Sequence, residues 1–274
     1  MQPIDAYRIT PDGSLPLKIQ ATTLDELTKQ LAAGFYTTFR TFDNGERALG
    51  LKAHFRRLFL PDAEEGLIPD VAPATLRNQM AKIIKTYQSE LRIRLVLTLD
   101  GKVYIAVTPL TPLPPEIYLR GVKVFTANVQ RQRPRLKTTA FISASEDVRT
   151  KISSSADFEA LLVRNNRILE GMTSNFFYIS DGMLGTAQKD ILLGVTRRTV
   201  LRVARGSGLD IVYRPLKRKQ IPTLSEAFLT SSSRGIVPII QIDDVMVGEG
   251  NPGPITKTLM ENYKIFVMRT AERI

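Results

Sequence analysis

Leu193-Gly194-Val195-Thr196-Arg197 is a glycine and a threonine at the mouth of an apolar-periodic segment, and the spacing predicts a helix over 196–206. A helix opening there leaves its first backbone N–H groups without partners inside the helix, an arrangement that suits a phosphate. Farther on, Thr230-Ser231-Ser232-Ser233-Arg234-Gly235 follows a predicted strand and can bring N–H and O–H donors to the same anion. Taken singly, each stretch is also what an ordinary cap or turn looks like. Around them, apolar runs predict strands at 122–127, 160–163, 175–179, 227–230 and 237–242, and periodicity predicts a last helix over 254–273.

The N-terminal part has a different texture. Residues 24–40 begin as an amphipathic helix and pass at Gly34 into Phe35-Tyr36-Thr37-Thr38-Phe39-Arg40-Thr41-Phe42, whose aromatic and β-branched content predicts a strand turned back by Asp43-Asn44-Gly45. Helices are expected over 51–60 and 74–89, then a hairpin of 91–99 and 103–108 across Asp100-Gly101. The proline-rich Pro109-Leu110-Thr111-Pro112-Leu113-Pro114-Pro115 is too stiff for a helix or central strand, so a domain boundary is placed there, giving domains 1–112 and 113–274.

Composition narrows the chemistry. The chain has 274 residues, 43% hydrophobic and 24% charged, enough for two cores. Without cysteine there is no disulfide, thiolate nucleophile or cysteine-bound metal, and with His54 as the single histidine a multi-histidine metal site is excluded. The difficult chemistry then falls to Lys, Asp, Glu or Tyr, or to a cofactor. No apolar run reaches the roughly 20 residues of a spanning helix, and Met1-Gln2-Pro3-Ile4-Asp5 has no signal-peptide pattern, so the expectation is a cytoplasmic protein with no membrane partner. The net charge of +11 is scattered, the longest cluster being Arg214-Pro215-Leu216-Lys217-Arg218-Lys219, so a solvated face is preferred to nucleic-acid binding. Gly248-Glu249-Gly250-Asn251-Pro252-Gly253 satisfies a dinucleotide fingerprint, but the remainder of a βαβ unit has no room before Ile274 and a glycine-rich turn is expected instead.

The order of these pieces (Lys137, then Glu170-Gly171-Met172-Thr173-Ser174-Asn175-Phe176-Phe177, then Gly194-Val195-Thr196-Arg197, then 230–238) resembles fold type IV pyridoxal-phosphate enzymes. That class includes branched-chain and D-amino-acid aminotransferases, (R)-amine transaminases and aminodeoxychorismate lyases. The strand at 34–41 followed by His54-Phe55-Arg56-Arg57-Leu58 is similar to its N-terminal half. The resemblance implies a two-domain α+β fold, with an α+β N-terminal domain and a β-barrel-like, cofactor-binding C-terminal domain with flanking helices. It also implies a homodimer, and transfer of an amino group from an amino acid, L-branched-chain in the leading reading, to a 2-oxo acid.

By the same resemblance Lys137 carries pyridoxal 5'-phosphate as a Schiff base and shuttles the substrate proton, while Glu170 pairs with the pyridine nitrogen. Arg57, Val195, Thr196 and Ser232 hold the phosphate, with Asn175 also at the cofactor. Tyr36, Arg40, Arg94, Ser233 and Arg234 face the substrate. Desolvation favours the neutral amine that Schiff-base chemistry needs. One departure is plain: the class often has a tyrosine shortly after the lysine, and Lys137-Thr138-Thr139-Ala140-Phe141-Ile142 has none. Rival readings are a lyase, a D-amino-acid or (R)-amine transaminase, and a non-catalytic anion- or nucleic-acid-binding protein on the same fold.

Overall fold

A computed structural model describes residues 4–274, apart from the side chains of residues 62–65; Met1, Gln2 and Pro3, part of the stretch read for a signal peptide, lie outside the described residues. The chain forms two compact units. The first comprises Met1–Thr111, Leu136–Ala144 and Thr270–Ile274, and the second Pro112–Arg135 and Ser145–Arg269.

The first unit is built on a seven-stranded antiparallel sheet in the order Glu272–Arg273, Arg47–Ala48, Gly34–Phe42, Leu91–Thr98, Val103–Pro109, Asp5–Thr10, Gly13–Pro16. Alternation along the strands separates its faces. Phe39, Ile93, Leu95, Leu97 and Ile105 pack with Leu51 and Leu58 of the Leu51–Glu65 helix and Leu76 and Met80 of the Pro73–Ile84 helix. On the opposite face, Ala6 and Ala106 meet Leu24 and Leu27 of the Leu24–Lys29 helix, and Tyr36 and Val96 meet Ile142 of the Ala140–Ala144 helix.

Two helix ends differ from expectation. The helix expected over 51–60 continues through Pro61 to Glu65. The second stops at Ile84 rather than at 89, because the chain turns there: the N–H groups of Thr86 and Tyr87 bond the carbonyls of Ile83 and Ile84, and the Tyr87 hydroxyl reaches Asp5.

The second unit holds a ten-stranded mixed sheet curled as a half-barrel. Its order is Ile211–Tyr213, Met183–Thr186, Asn175–Ser180, Glu226–Ser231, Gly235–Ile242, Val122–Ala127, Glu159–Arg164, Arg167–Gly171, Leu216–Lys217, with Val245–Met246 paired to Gly235–Ile242. On one face Phe177 stacks on Phe228, ring centroids 5.0 Å apart, and this pair packs with Val200 and Ala204 of the Val195–Gly206 helix and Leu259 of the Pro254–Thr270 helix. The other face carries Phe176, Tyr178, Leu229 and Val237. At the end of the proline-rich stretch the structure has a helix, Pro115–Arg120, which sequence reasoning did not foresee; Pro115 occupies its first turn, where a missing N–H costs nothing.

Candidate active site

In the first unit, Lys137 is placed by strand pairing. Arg47–Ala48 is so short that it pairs only with Thr41 and Phe42, leaving the opposite end of the Gly34–Phe42 strand with an open edge. Residues 137–139 take that edge. Tyr36 N–H donates to the Lys137 carbonyl (2.9 Å), Thr139 N–H to the Gly34 carbonyl (2.8 Å), and Gly34 N–H to Thr139 Oγ1 (2.9 Å). Gly34 is required here, because a Cβ would lie 2.1 Å from the Leu97 carbonyl oxygen across the sheet. The register puts Lys137 beside buried Tyr36, with Nζ 4.7 Å from the ring centroid. The Arg94 guanidinium carbon lies 4.7 Å from the same centroid.

In the second unit, Glu170 is the last residue but one of the Arg167–Gly171 strand and is buried. Its Oε1 accepts from Arg131 Nε (3.0 Å), and its Oε2 accepts from the Leu192 N–H (3.1 Å) and from Asn175 Nδ2 (3.4 Å). Asn175 also donates to the Leu192 carbonyl (2.8 Å), tying the strand to the loop that leads into the Val195–Gly206 helix. A Cβ on Gly194 would sit 2.2 Å from Asn175 Oδ1, so glycine is what lets this loop close on Asn175.

At that helix's N-terminus Gly194 supplies no side-chain cap, and the first turn has no acidic residue. Buried Thr196 donates through Oγ1 to Ser232 Oγ (3.3 Å), joining the helix to the hydroxyl cluster after the Glu226–Ser231 strand. Thr230 Oγ1 and Arg197 Nε are buried without a hydrogen-bond partner among the described residues. Arg197 Nη2 donates to the Ala187 carbonyl and Gln188 Oε1, both at 2.8 Å. Burial draws the Arg197 pKa down to about 10, against the pull of Tyr213 and Glu170.

The other candidates divide. Arg57 lies half-buried on the Leu51–Glu65 helix, on the sheet face opposite Tyr36. Arg40 pairs with Glu90 and stacks over Phe42. Arg94, expected to face the substrate, is buried: Nη1 donates to Asp25 (2.7 Å), the Leu24 carbonyl (2.8 Å) and Thr28 (2.9 Å), and Nε to Thr38 (3.0 Å), because the Leu24–Lys29 helix packs over it. Arg234 donates to buried Glu159 (2.6 Å), Thr173 Oγ1 (2.8 Å) and Ser231 Oγ (3.0 Å). Ser233 is half-buried in the same turn. Sequence reasoning missed Arg131 and Glu159, the buried partners of Glu170 and Arg234, since neither stands in a local pattern. Gly248 to Gly253 do form a turn, and the helix behind it is filled: Glu226 accepts from the N–H groups of Ile255 (3.0 Å) and Thr256 (2.6 Å).

The sequence model of the family Amino-transferase class IV matches residues 34–242, which spans the open-edge strand, Lys137, Glu170 and the uncapped helix. The chain belongs to the class IV aminotransferases. This class IV aminotransferase is 31% identical over 257 residues to a Thermotoga maritima protein named "Probable branched-chain-amino-acid aminotransferase", covering 89% of this chain and 90% of that one. It is 25% identical over 264 residues to the D-alanine aminotransferase of Bacillus licheniformis, covering 87% and 89%. A crystal structure of the T.th. branched-chain amino acid aminotransferase complexed with N-(5'-phosphopyridoxyl)-L-glutamate superposes with a TM-score of 0.81 over 97% of this chain and 94% of that one; at 19% identity this is a likeness of fold. The class IV aminotransferase is a pyridoxal-phosphate-dependent enzyme of transamination. Its residues fit the cofactor: an uncapped helix start beside an unpartnered Thr230 hydroxyl suits a phosphate, and a buried carboxylate suits a pyridinium. Among the described residues no helix is long and apolar enough to cross a membrane, and there is no cluster fit to hold a metal ion.

Proposed function

We propose that this enzyme moves the amino group of an L-branched-chain amino acid to a 2-oxo acid, with Lys137 carrying the cofactor. The observation that carries the reading is the placement of Lys137 at a strand edge beside Tyr36, with Nζ 4.7 Å from the ring centroid. Relatives named for branched-chain substrates support the same donor.

When bound, the cofactor supplies an electron-withdrawing ring that accepts the electron pair of the breaking Cα–H bond. Lys137 Nζ takes the α-proton and returns it. Glu170 keeps a proton on the pyridine nitrogen through its negative charge. Val195 and Thr196 N–H groups, with the Thr196 and Ser232 hydroxyls and Arg57, hold the phosphate. Asn175 anchors the loop carrying Leu192 so that Glu170 and the helix start stay in register. Arg40, Ser233 and Arg234 serve the substrate's carboxylate side, while Arg94 acts indirectly by packing on Tyr36. We assign residues 113–274 the larger share of cofactor contacts, a homodimeric state and a cytoplasmic location.

The D-alanine aminotransferase relatives favour a second reading, a D-amino-acid donor. The near-visible absorbance of the protein with pyridoxal phosphate, before and after L-leucine and D-alanine in turn, separates the two. Conversion of the lysine-bound band by L-leucine is the expected result. Conversion by D-alanine alone would overturn the donor, and stoichiometric covalent attachment of the cofactor after borohydride reduction of Lys137→Ala would overturn the lysine.

A further inference from the structure

We propose that Arg131 is a positioning residue that holds Glu170 ionised and oriented toward the pyridine nitrogen. This rests on the reading of Glu170 as that nitrogen's partner. Arg131 lies between the Val122–Ala127 strand and Lys137, in a stretch without regular structure, yet its side chain is only 4% exposed and that of Glu170 3%. Two donors of its fork are directed: Nε to Glu170 Oε1 (3.0 Å) and Nη2 to the Met172 carbonyl (2.9 Å). The carbonyl fixes the guanidinium, and the guanidinium fixes one carboxylate oxygen. The other oxygen takes the Leu192 N–H.

A carboxylate this buried needs a fixed counter-charge, since an isolated one would neutralise by taking up a proton. A protonated Glu170 has no negative charge with which to keep the pyridine nitrogen protonated. Lysine cannot substitute, because its ammonium lacks the planar fork that spans a carboxylate and a carbonyl at once. Arg197, which also feels the charge of Glu170, adds positive potential from the helix side, while its Nη2 is directed to Ala187 and Gln188.

The test loads wild type, Arg131→Met, Arg131→Lys and Glu170→Gln with pyridoxal phosphate labelled with nitrogen-15 in the ring. The ring-nitrogen resonance is followed through the neutral pH range, beside the single-turnover rate with L-leucine and the thermal unfolding of the cofactor-free proteins. Wild type is expected to show a protonated ring nitrogen. Glu170→Gln and Arg131→Met are both expected to move the resonance toward the unprotonated position and to slow the half-reaction at least about tenfold; Arg131→Lys should fall between. In the cofactor-free state the double variant Arg131→Met/Glu170→Gln should lose less stability than the two single losses together. If Glu170→Gln leaves the resonance unmoved, the Glu170 reading fails and the proposal falls with it. If Glu170→Gln moves it while both Arg131 variants keep the wild-type resonance and rate, Arg131 is merely structural and the proposal alone fails. Should Arg131→Met not fold, Arg131→Lys decides: wild-type resonance and rate there overturn the positioning role.

Discussion

The helices Val195–Gly206 and Pro254–Thr270 both follow glycine-bearing turns in the same unit, and their first turns are finished in opposite ways. Behind Gly253, the buried Glu226 carboxylate accepts two backbone N–H groups, so the chain satisfies that helix itself. Behind Gly194 there is no side-chain cap among the described residues, and Thr196 bonds the Ser232 hydroxyl. A helix start closed by its own carboxylate has no room for a second anion; one surrounded by donors suits an anion from outside, as proposed for the cofactor's phosphate. The sequence pattern more widely associated with nucleotide phosphates lies at the closed end.

Several experiments would sharpen this contrast or break it. The largest effect is expected for Lys137→Ala, which should abolish transamination while pyridoxal phosphate still binds non-covalently through the helix start. Loss of all affinity in that variant, measured by fluorescence titration, would mean the 195 end contributes nothing. Gly194→Ala forces a methyl group against Asn175 Oδ1 and should weaken cofactor binding by about 100-fold, with Gly206→Ala, whose added Cβ meets nothing, as the control. Glu226→Ala should leave cofactor affinity unchanged yet destabilise the protein by about 2–3 kcal/mol in denaturant unfolding, because two buried N–H groups lose a charged acceptor. A large affinity loss in Glu226→Ala would erase the distinction between the ends. The smallest effect is Thr196→Ala, about tenfold in cofactor dissociation, and inorganic phosphate should compete less well in that variant than in wild type.

How much of this was legible in the chain depends on how local each signal is. The strand at Gly34–Phe42, the hairpin across Gly101 and the helix after Gly194 announce themselves through alternation, turn chemistry and periodicity. The strands Arg167–Gly171 and Met183–Thr186 do not, being short and dependent on neighbours in the sheet. Of the proposed site, Lys137, Glu170 and the helix start were suggested by motifs in order. Arg131 and Glu159 were invisible because their meaning lies in partners distant in sequence, Glu170 and Arg234. Arg94 was misjudged for a related reason. An arginine on a strand looks available until a helix packs over it, and here Asp25 and Thr28 belong to that helix.

By itself, the sequence determined which residue types were at hand and where the backbone would turn: no cysteine, one histidine, a lysine and a glutamate in a recognisable order, and a glycine opening an uncapped helix. Those properties depend on covalent identity and on interactions a few residues long. Only the tertiary structure decided which charges are spent inside the protein and which are left for a ligand. That outcome depends on burial, and burial is created by sheet edges and helices meeting across the chain, as when the short Arg47–Ala48 strand leaves an edge for Lys137 or when Glu226 closes one helix and leaves the other open.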